Sequence, residues 1–166
     1  MSDVTKALES NRGAVDEFLG VAQSMEPQWM TPRSEGKWSP AQVVEHVART
    51  YEEGAKLVAG DSSHFPNMPG FLRPIMRGLF YNRILKNKSF PKAKTFKAFD
   101  PAEGPSSVAE GRTRLAGALD KFEDAVRKQD STTIVSGVFG KVPLDSYVHF
   151  QELHARHHQQ QLRIDG

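Results

Sequence analysis

Trp38-Ser39-Pro40-Ala41-Gln42-Val43-Val44-Glu45-His46-Val47, running on through Thr50 and Tyr51 toward Gly60, decides how this chain folds. Ser39 stands at an N-cap, Pro40 at the first helical position, and Gln42 where a capping box takes Glu or Gln. Trp38 and Val43 are spaced to close a hydrophobic staple across that cap. Beyond it, Val43, Val44, Val47, Tyr51, Ala55 and Val58 recur at helical spacing, so a second helix is predicted from Pro40 to about Gly60. His46 lies at the edge of this apolar stripe. Gln42, Thr50 and Glu53 share its face at four- and seven-residue steps.

Working outward, Val4 to Met25 carries a stripe of Val15, Phe18, Leu19, Ala22 and Met25 and predicts a first helix, ended by Glu26-Pro27. A polar loop from Trp29 to Lys37 leads to the second. A third helix is predicted from a cap at Ser106 or Ser107 to about Lys128, with Val108, Leu115, Ala118, Leu119, Phe122 and Val126 on one side. A fourth is predicted from Leu144-Asp145, with Asp145 as N-cap, to about Ile164. Residues 130–143 are turn-rich. Thr132 to Val135 could form a brief strand, but nothing nearby offers it an obvious partner. Residues 61–105 form a long connection holding six of the ten prolines, with a short helix expected from about Pro74 to Leu85. A connection this long lets helices two and three run parallel. The expectation is an all-α fold, a four-helix bundle with a crossover between helices two and three, residues 1–166 forming one domain.

The 166 residues have a net charge of +2, too small to imply nucleic acid by itself. No run approaches the ~18 apolar residues of a membrane span. The mixed charges from Met1 to Lys6 lead into no apolar segment, so no signal peptide and a cytoplasmic location are expected. There is no cysteine. Thiolate metal sites, disulfides and a cysteine nucleophile are excluded, so a metal would need His, Asp or Glu ligands, and thiol chemistry would need a small-molecule thiol.

Four of the six histidines lie in Tyr147–Leu162. On a helix, Tyr147, Gln151, His154, His158 and Gln161 share one side. Burying such a face unpaired would cost several kcal/mol, so it is either exposed or part of a polar site inside the bundle. His154 and His158, one turn apart, could grip one ion with His46 as third ligand. Three neutral imidazoles suit Zn(II), and also Ni(II) or Fe(II), with a coordination position left open. Glu45, Glu53, Gln151 and Gln161 are candidates to orient the imidazole N–H groups. Spacing alone leaves the alternatives standing: an i,i+4 histidine pair also arises on ordinary surface helices, and a histidine placed like His46 is, taken alone, more often a satisfied core-edge residue than a ligand. His149, His157 and His64 are expected at the surface.

The segment Trp38 to Val47, taken with His154-Ala155-Arg156-His157-His158-Gln159-Gln160-Gln161-Leu162, resembles the DinB-like, or YfiT-like, metal-binding proteins. The resemblance rests on the W-S…H-V pattern of helix two and the H-x-x-H-H-x-x-Q pattern of helix four, in that order and separation. It implies a four-helix bundle with the same crossover and a divalent metal on His46, His154 and His158, with His157 outside the ligand set. Some relatives are thiol-dependent enzymes that use bacillithiol or mycothiol. Many relatives have no assigned reaction, and the leading expectation for this chain is a metal-dependent enzyme of the thiol S-transferase type. The alternatives are a hydrolase using bound water and a non-catalytic ligand-binding bundle. A homodimer is compatible with any of these.

From Leu72 to Ala98 the chain carries Arg73, Arg77, Arg83, Lys86, Lys88, Lys92, Lys94 and Lys97 and no acid, with Phe71, Phe80, Tyr81, Phe90 and Phe96 interleaved. Three uses compete: a solvated face whose aromatics plug the bundle end, a cationic mouth for an anionic thiol or substrate, and a patch for nucleic acid or an anionic membrane. The sequence ranks the third last, because the rest of the chain is net acidic and no nucleic-acid motif appears.

Overall fold

The computed structural model describes residues 3–163. Four long helices carry the fold: α1 (Asp3–Ser24), α2 (Pro40–Ala59), α5 (Val108–Lys128) and α6 (Leu144–Leu162). Between α2 and α5 the crossover holds α3 (Arg73–Met76), a π-helical turn (Arg77–Tyr81) and α4 (Asn82–Asn87). No described helix is long and apolar enough to cross a membrane.

The start of α2 follows its local chemistry. The Ser39 hydroxyl accepts from the Gln42 backbone N–H, and the Gln42 side chain accepts from the Ser39 N–H at 3.0 Å. Gly60, at φ 81°, ends the helix in a left-handed conformation that glycine adopts without a Cβ penalty. Ser107 is the cap of α5, accepting from the Glu110 N–H. At α6 the expectation differs. The cap position is Pro143, whose side chain offers no hydrogen bond, and Asp145 sits inside the first turn, accepting from the Ser146 N–H at 2.8 Å. Ile164, the expected end of this helix, lies outside the described residues.

Side-chain pairs give the helix directions. Glu45 meets Arg114, Glu52 meets Lys121, and the Val58 carbonyl meets Gln129, so α2 and α5 run parallel. Thr50 meets His154 while Tyr51 meets the Gln151 carbonyl and His46 meets His158, so α6 runs against α2. Arg12 meets Asp120, and Val4 and Leu8 line one cavity with Val126, so α1 runs against α5. The order is up-down-down-up, which requires the long crossover. Val44, Val47, Tyr51, Phe18, Leu115, Leu119, Phe122 and Val148 fill the centre, all fully buried. Burial of each such side chain contributes about 1.5–3 kcal/mol.

Residues 130–143 are not merely turns. Thr133–Ser136 (β1) pairs antiparallel with Gly140–Pro143 (β2), Ile134 opposite Val142. The partner missing from the sequence reading is the very next segment. Only Lys141-Val142-Pro143 carries side chains there, too short a run to register as a strand. The Ser136 hydroxyl accepts from the Val138 and Phe139 N–H groups, and Gly140, at φ 72°, closes the turn.

Candidate metal centre

The antiparallel crossing of α2 and α6 sets His46, two turns beyond the Ser39 cap, against His154 and His158. The His46 and His154 Nε2 atoms are 3.4 Å apart, and those of His154 and His158 are 3.1 Å apart. One ligand atom from each of the three can be chosen so that all lie within 4.8 Å of one another. His46 and His158 are buried, whereas His154 retains partial exposure.

The hydrogen bonds on the far side of each ring decide which nitrogen holds the proton. His46 Nδ1 lies 2.8 Å from the Phe99 carbonyl oxygen, which can only accept, so Nδ1 is the N–H. His158 Nδ1 donates to Gln161 Oε1 at 2.8 Å. His154 Nδ1 lies 3.4 Å from Thr50 Oγ1. That hydroxyl spends its single proton on the Val47 carbonyl at 2.8 Å, so it accepts from His154. All three Nε2 atoms are left with bare lone pairs facing one another.

Burial lowers the pKa of His46 and pushes those of His154 and His158 well below the ordinary histidine range, with the neighbouring imidazoles adding to the effect. The three rings are therefore neutral near pH 7. Three converging lone pairs with no proton between them repel each other unless a cation sits among them. Donors about 2.0–2.1 Å from a tetrahedral ion stand ~3.3 Å apart, close to the two separations above. Neutral imidazoles held by their second nitrogens are what a divalent metal takes. The residues present fit such an ion.

Apolar rings wall the cluster. Trp38 packs on His46 with centroids 4.8 Å apart and lies 6.2 Å from His158, its indole N–H donating to Asp100. Phe90, from the crossover, packs edge-on to His154 at 5.4 Å and against Phe150 at 5.2 Å. Phe99, whose carbonyl holds His46, is itself stacked on Phe65 at 4.9 Å. The crossover thus supplies part of the cluster's surroundings.

Of the residues expected to orient the rings, Gln161 does so. Gln151 is buried but donates to the Tyr147 hydroxyl at 3.1 Å instead. Glu45 is taken by Arg49 and Arg114, and Glu53 by Lys56 and the His64 backbone N–H. Both carboxylates point to where cations are, since a buried charge needs a partner. His64 is exposed, as expected. His149 is half-buried against Glu152, and His157 is half-buried, its ring 5.6 Å from Phe90 and 5.0 Å from His158. Neither is the freely solvated side chain expected: Phe90 packs over His157, and Glu152 holds His149 at 3.1 Å. Thr50, which its four-residue step from His46 places on the shared face, is not among the residues expected to orient a ring, yet it accepts from His154. The Phe99 carbonyl carries no sequence signal, since every residue has one.

A family model described as the DinB superfamily matches residues 7–162, which span all four long helices. No curated protein and no solved structure matches the chain.

Proposed function

The chain belongs to the DinB superfamily, and from that premise we propose that it is a metal-dependent enzyme of the thiol S-transferase type, with His46, His154 and His158 as the metal ligands. The observation that carries this reading is the set of three unprotonated Nε2 atoms converging within a largely apolar enclosure. Zinc is the first choice, with nickel or iron(II) compatible with the same donors. A divalent ion held there would supply Lewis acidity, lowering the pKa of a thiol or water so that it becomes a nucleophile near neutral pH.

The chain's own residues supply the rest. The Phe99 carbonyl, Thr50 and Gln161 keep the protons on Nδ1 and so keep Nε2 free. Trp38 and Phe90 wall part of the cluster with apolar rings, and a less polar surrounding strengthens electrostatic interactions inside the site. No cysteine is available, so the thiol arrives with a cosubstrate. Lys92, Lys94 and Lys97 lie between Phe90 and Phe99 in the chain, are exposed, and enter none of the ion pairs among the described residues. They suit the carboxylates of an anionic low-molecular-weight thiol.

Metal analysis of the purified protein and of His46→Ala and His158→Ala tests the ligand set. Loss of metal in both variants is expected, and full retention in both would refute it. A panel of low-molecular-weight thiols with an electrophilic substrate tests the reaction. Turnover that requires a thiol supports the transferase. Turnover without one would mean hydrolysis by bound water, and none with a fully metal-loaded protein would mean a binding bundle.

A further inference from the structure

The segment from α3 through the π turn to α4 lies along the outside of the bundle. It is anchored through Tyr81 and Ile84, both buried. Tyr81 stacks on Phe150 at 5.0 Å, meets Phe139 at 5.1 Å, and its hydroxyl bonds Ser146 at 2.8 Å. Arg73 and Arg77 brace the segment: Arg73 donates to the Met68 carbonyl and Asn67, and Arg77 to the Lys141 carbonyl. The π turn adds a residue between half-buried Met76 and Tyr81, five positions apart. Leu79 and Phe80 are consequently both left facing out.

Phe71 is 76 % exposed, Leu79 60 %, Ile75 53 % and Phe80 39 %. Seven large apolar side chains are exposed among the described residues, and these four fall within ten positions of one another. All four stand on the one surface segment from Phe71 to Phe80, so exposed apolar side chains are concentrated there and not scattered singly over the molecule. The aromatics Phe71 and Phe80 do not plug the bundle end. The three exposed cations Arg83, Lys86 and Lys88 follow directly along the same segment. None of them enters an ion pair among the described residues, and no acid occurs between Leu72 and Ala98.

The charge decides what covers this face. A second copy docked through the same patch would bring these cations against themselves with no acid in the segment to offset them. Nucleic acid would accept the cations but would leave Ile75 and Leu79, which cannot stack on bases as aromatics do, without a role. An anionic bilayer takes both features: apolar side chains at the boundary of headgroups and acyl chains, cations among the phosphates. We propose that Phe71, Ile75, Leu79 and Phe80, with Arg83, Lys86 and Lys88, form a docking face for an anionic lipid surface. The segment lies on that surface and does not span it. The patch is separate from the three histidines, so metal content reports independently on the candidate centre.

Co-sedimentation of the full protein with lipid vesicles tests this. Binding is expected to vesicles carrying about a third anionic phosphatidylglycerol, to weaken with salt, and to be absent on pure phosphatidylcholine. Ile75→Ser/Leu79→Ser should lower the partition coefficient at least about tenfold. Arg83→Gln/Lys86→Gln/Lys88→Gln should lower it about fivefold for each charge removed. Both variants should keep the melting temperature and metal content of the parent, since the altered side chains are exposed. Equal binding to neutral vesicles, or variants that bind like the parent, would overturn the proposal. So would a dimer that Leu79→Ser dissociates, or binding to duplex DNA with vesicles ignored.

Discussion

Replacing Thr50 with valine tests the tautomer logic of the histidine cluster with almost no change of shape. The Thr50 hydroxyl sits between the Val47 carbonyl at 2.8 Å and His154 Nδ1 at 3.4 Å. Valine puts a methyl group in its place and leaves the His154 N–H without an acceptor. An unsatisfied buried donor costs about 1–3 kcal/mol, and the long 3.4 Å contact places this one near the low end, about 1 kcal/mol. The ring can avoid that cost by moving its proton to Nε2, where the lone pairs of His158 at 3.1 Å and His46 at 3.4 Å would accept it. Metal-free stability then falls by no more than about 1 kcal/mol. Metal affinity falls further, because one of three donors is now protonated and must be switched back. Loss of such a supporting contact lowers affinity about 10–100-fold, so at least about 1.4 kcal/mol is expected. Titration against a chromogenic chelator near neutral pH measures it, and the ring nitrogen shifts of His154 by NMR report the tautomer. An affinity within about a factor of two of the parent, with the His154 tautomer unchanged, would refute the assigned proton positions.

Three further outcomes are expected. Gln161→Leu should weaken metal binding about 10–100-fold by removing the acceptor of His158 Nδ1, whereas Glu45→Gln should leave affinity unchanged because Glu45 serves Arg49 and Arg114; the same chelator titration distinguishes them. The metal-free protein should lose stability as pH falls below 6.5: with folded pKa values depressed, the unfolded state binds the protons, His154 and His158 together contributing up to about 3 kcal/mol per pH unit, and urea midpoints that stay level between pH 7 and about 5 would contradict this. Gly104→Ala should destabilise by about 1–3 kcal/mol in thermal melts, since a Cβ there would overlap the Ala41 carbonyl and stand 2.7 Å from the Gln42 nitrogen, both parts of the rigid start of α2.

Interactions within a turn or two of chain were legible without coordinates. The Ser39–Gln42 box, the glycine at position 60 and the stripes of α1, α2 and α5 depend on neighbours at i+3 and i+4, so periodicity and capping place them to within a residue or two. The polar face of α6 could be recognised as anomalous because buried imidazoles and amides need partners, which narrowed His154 and His158 to one side of one helix. The hairpin escaped because its second strand is too short to alternate visibly. The carboxylates Glu45 and Glu53 were misplaced because sequence puts them on or beside the face of His46 but not beside the cations that hold them.

What sequence alone determined, then, was which helices form and which histidines share a face. The tertiary structure decided that α2 meets α6 in the register that turns three Nε2 atoms toward one another, and that a carbonyl from the crossover, a threonine and a glutamine hold the protons on the other side. Helical periodicity is written in side-chain types at fixed steps. The register of two helices and the position of a backbone oxygen fifty-three residues from His46 are outcomes of packing the whole core, to which no single local pattern corresponds.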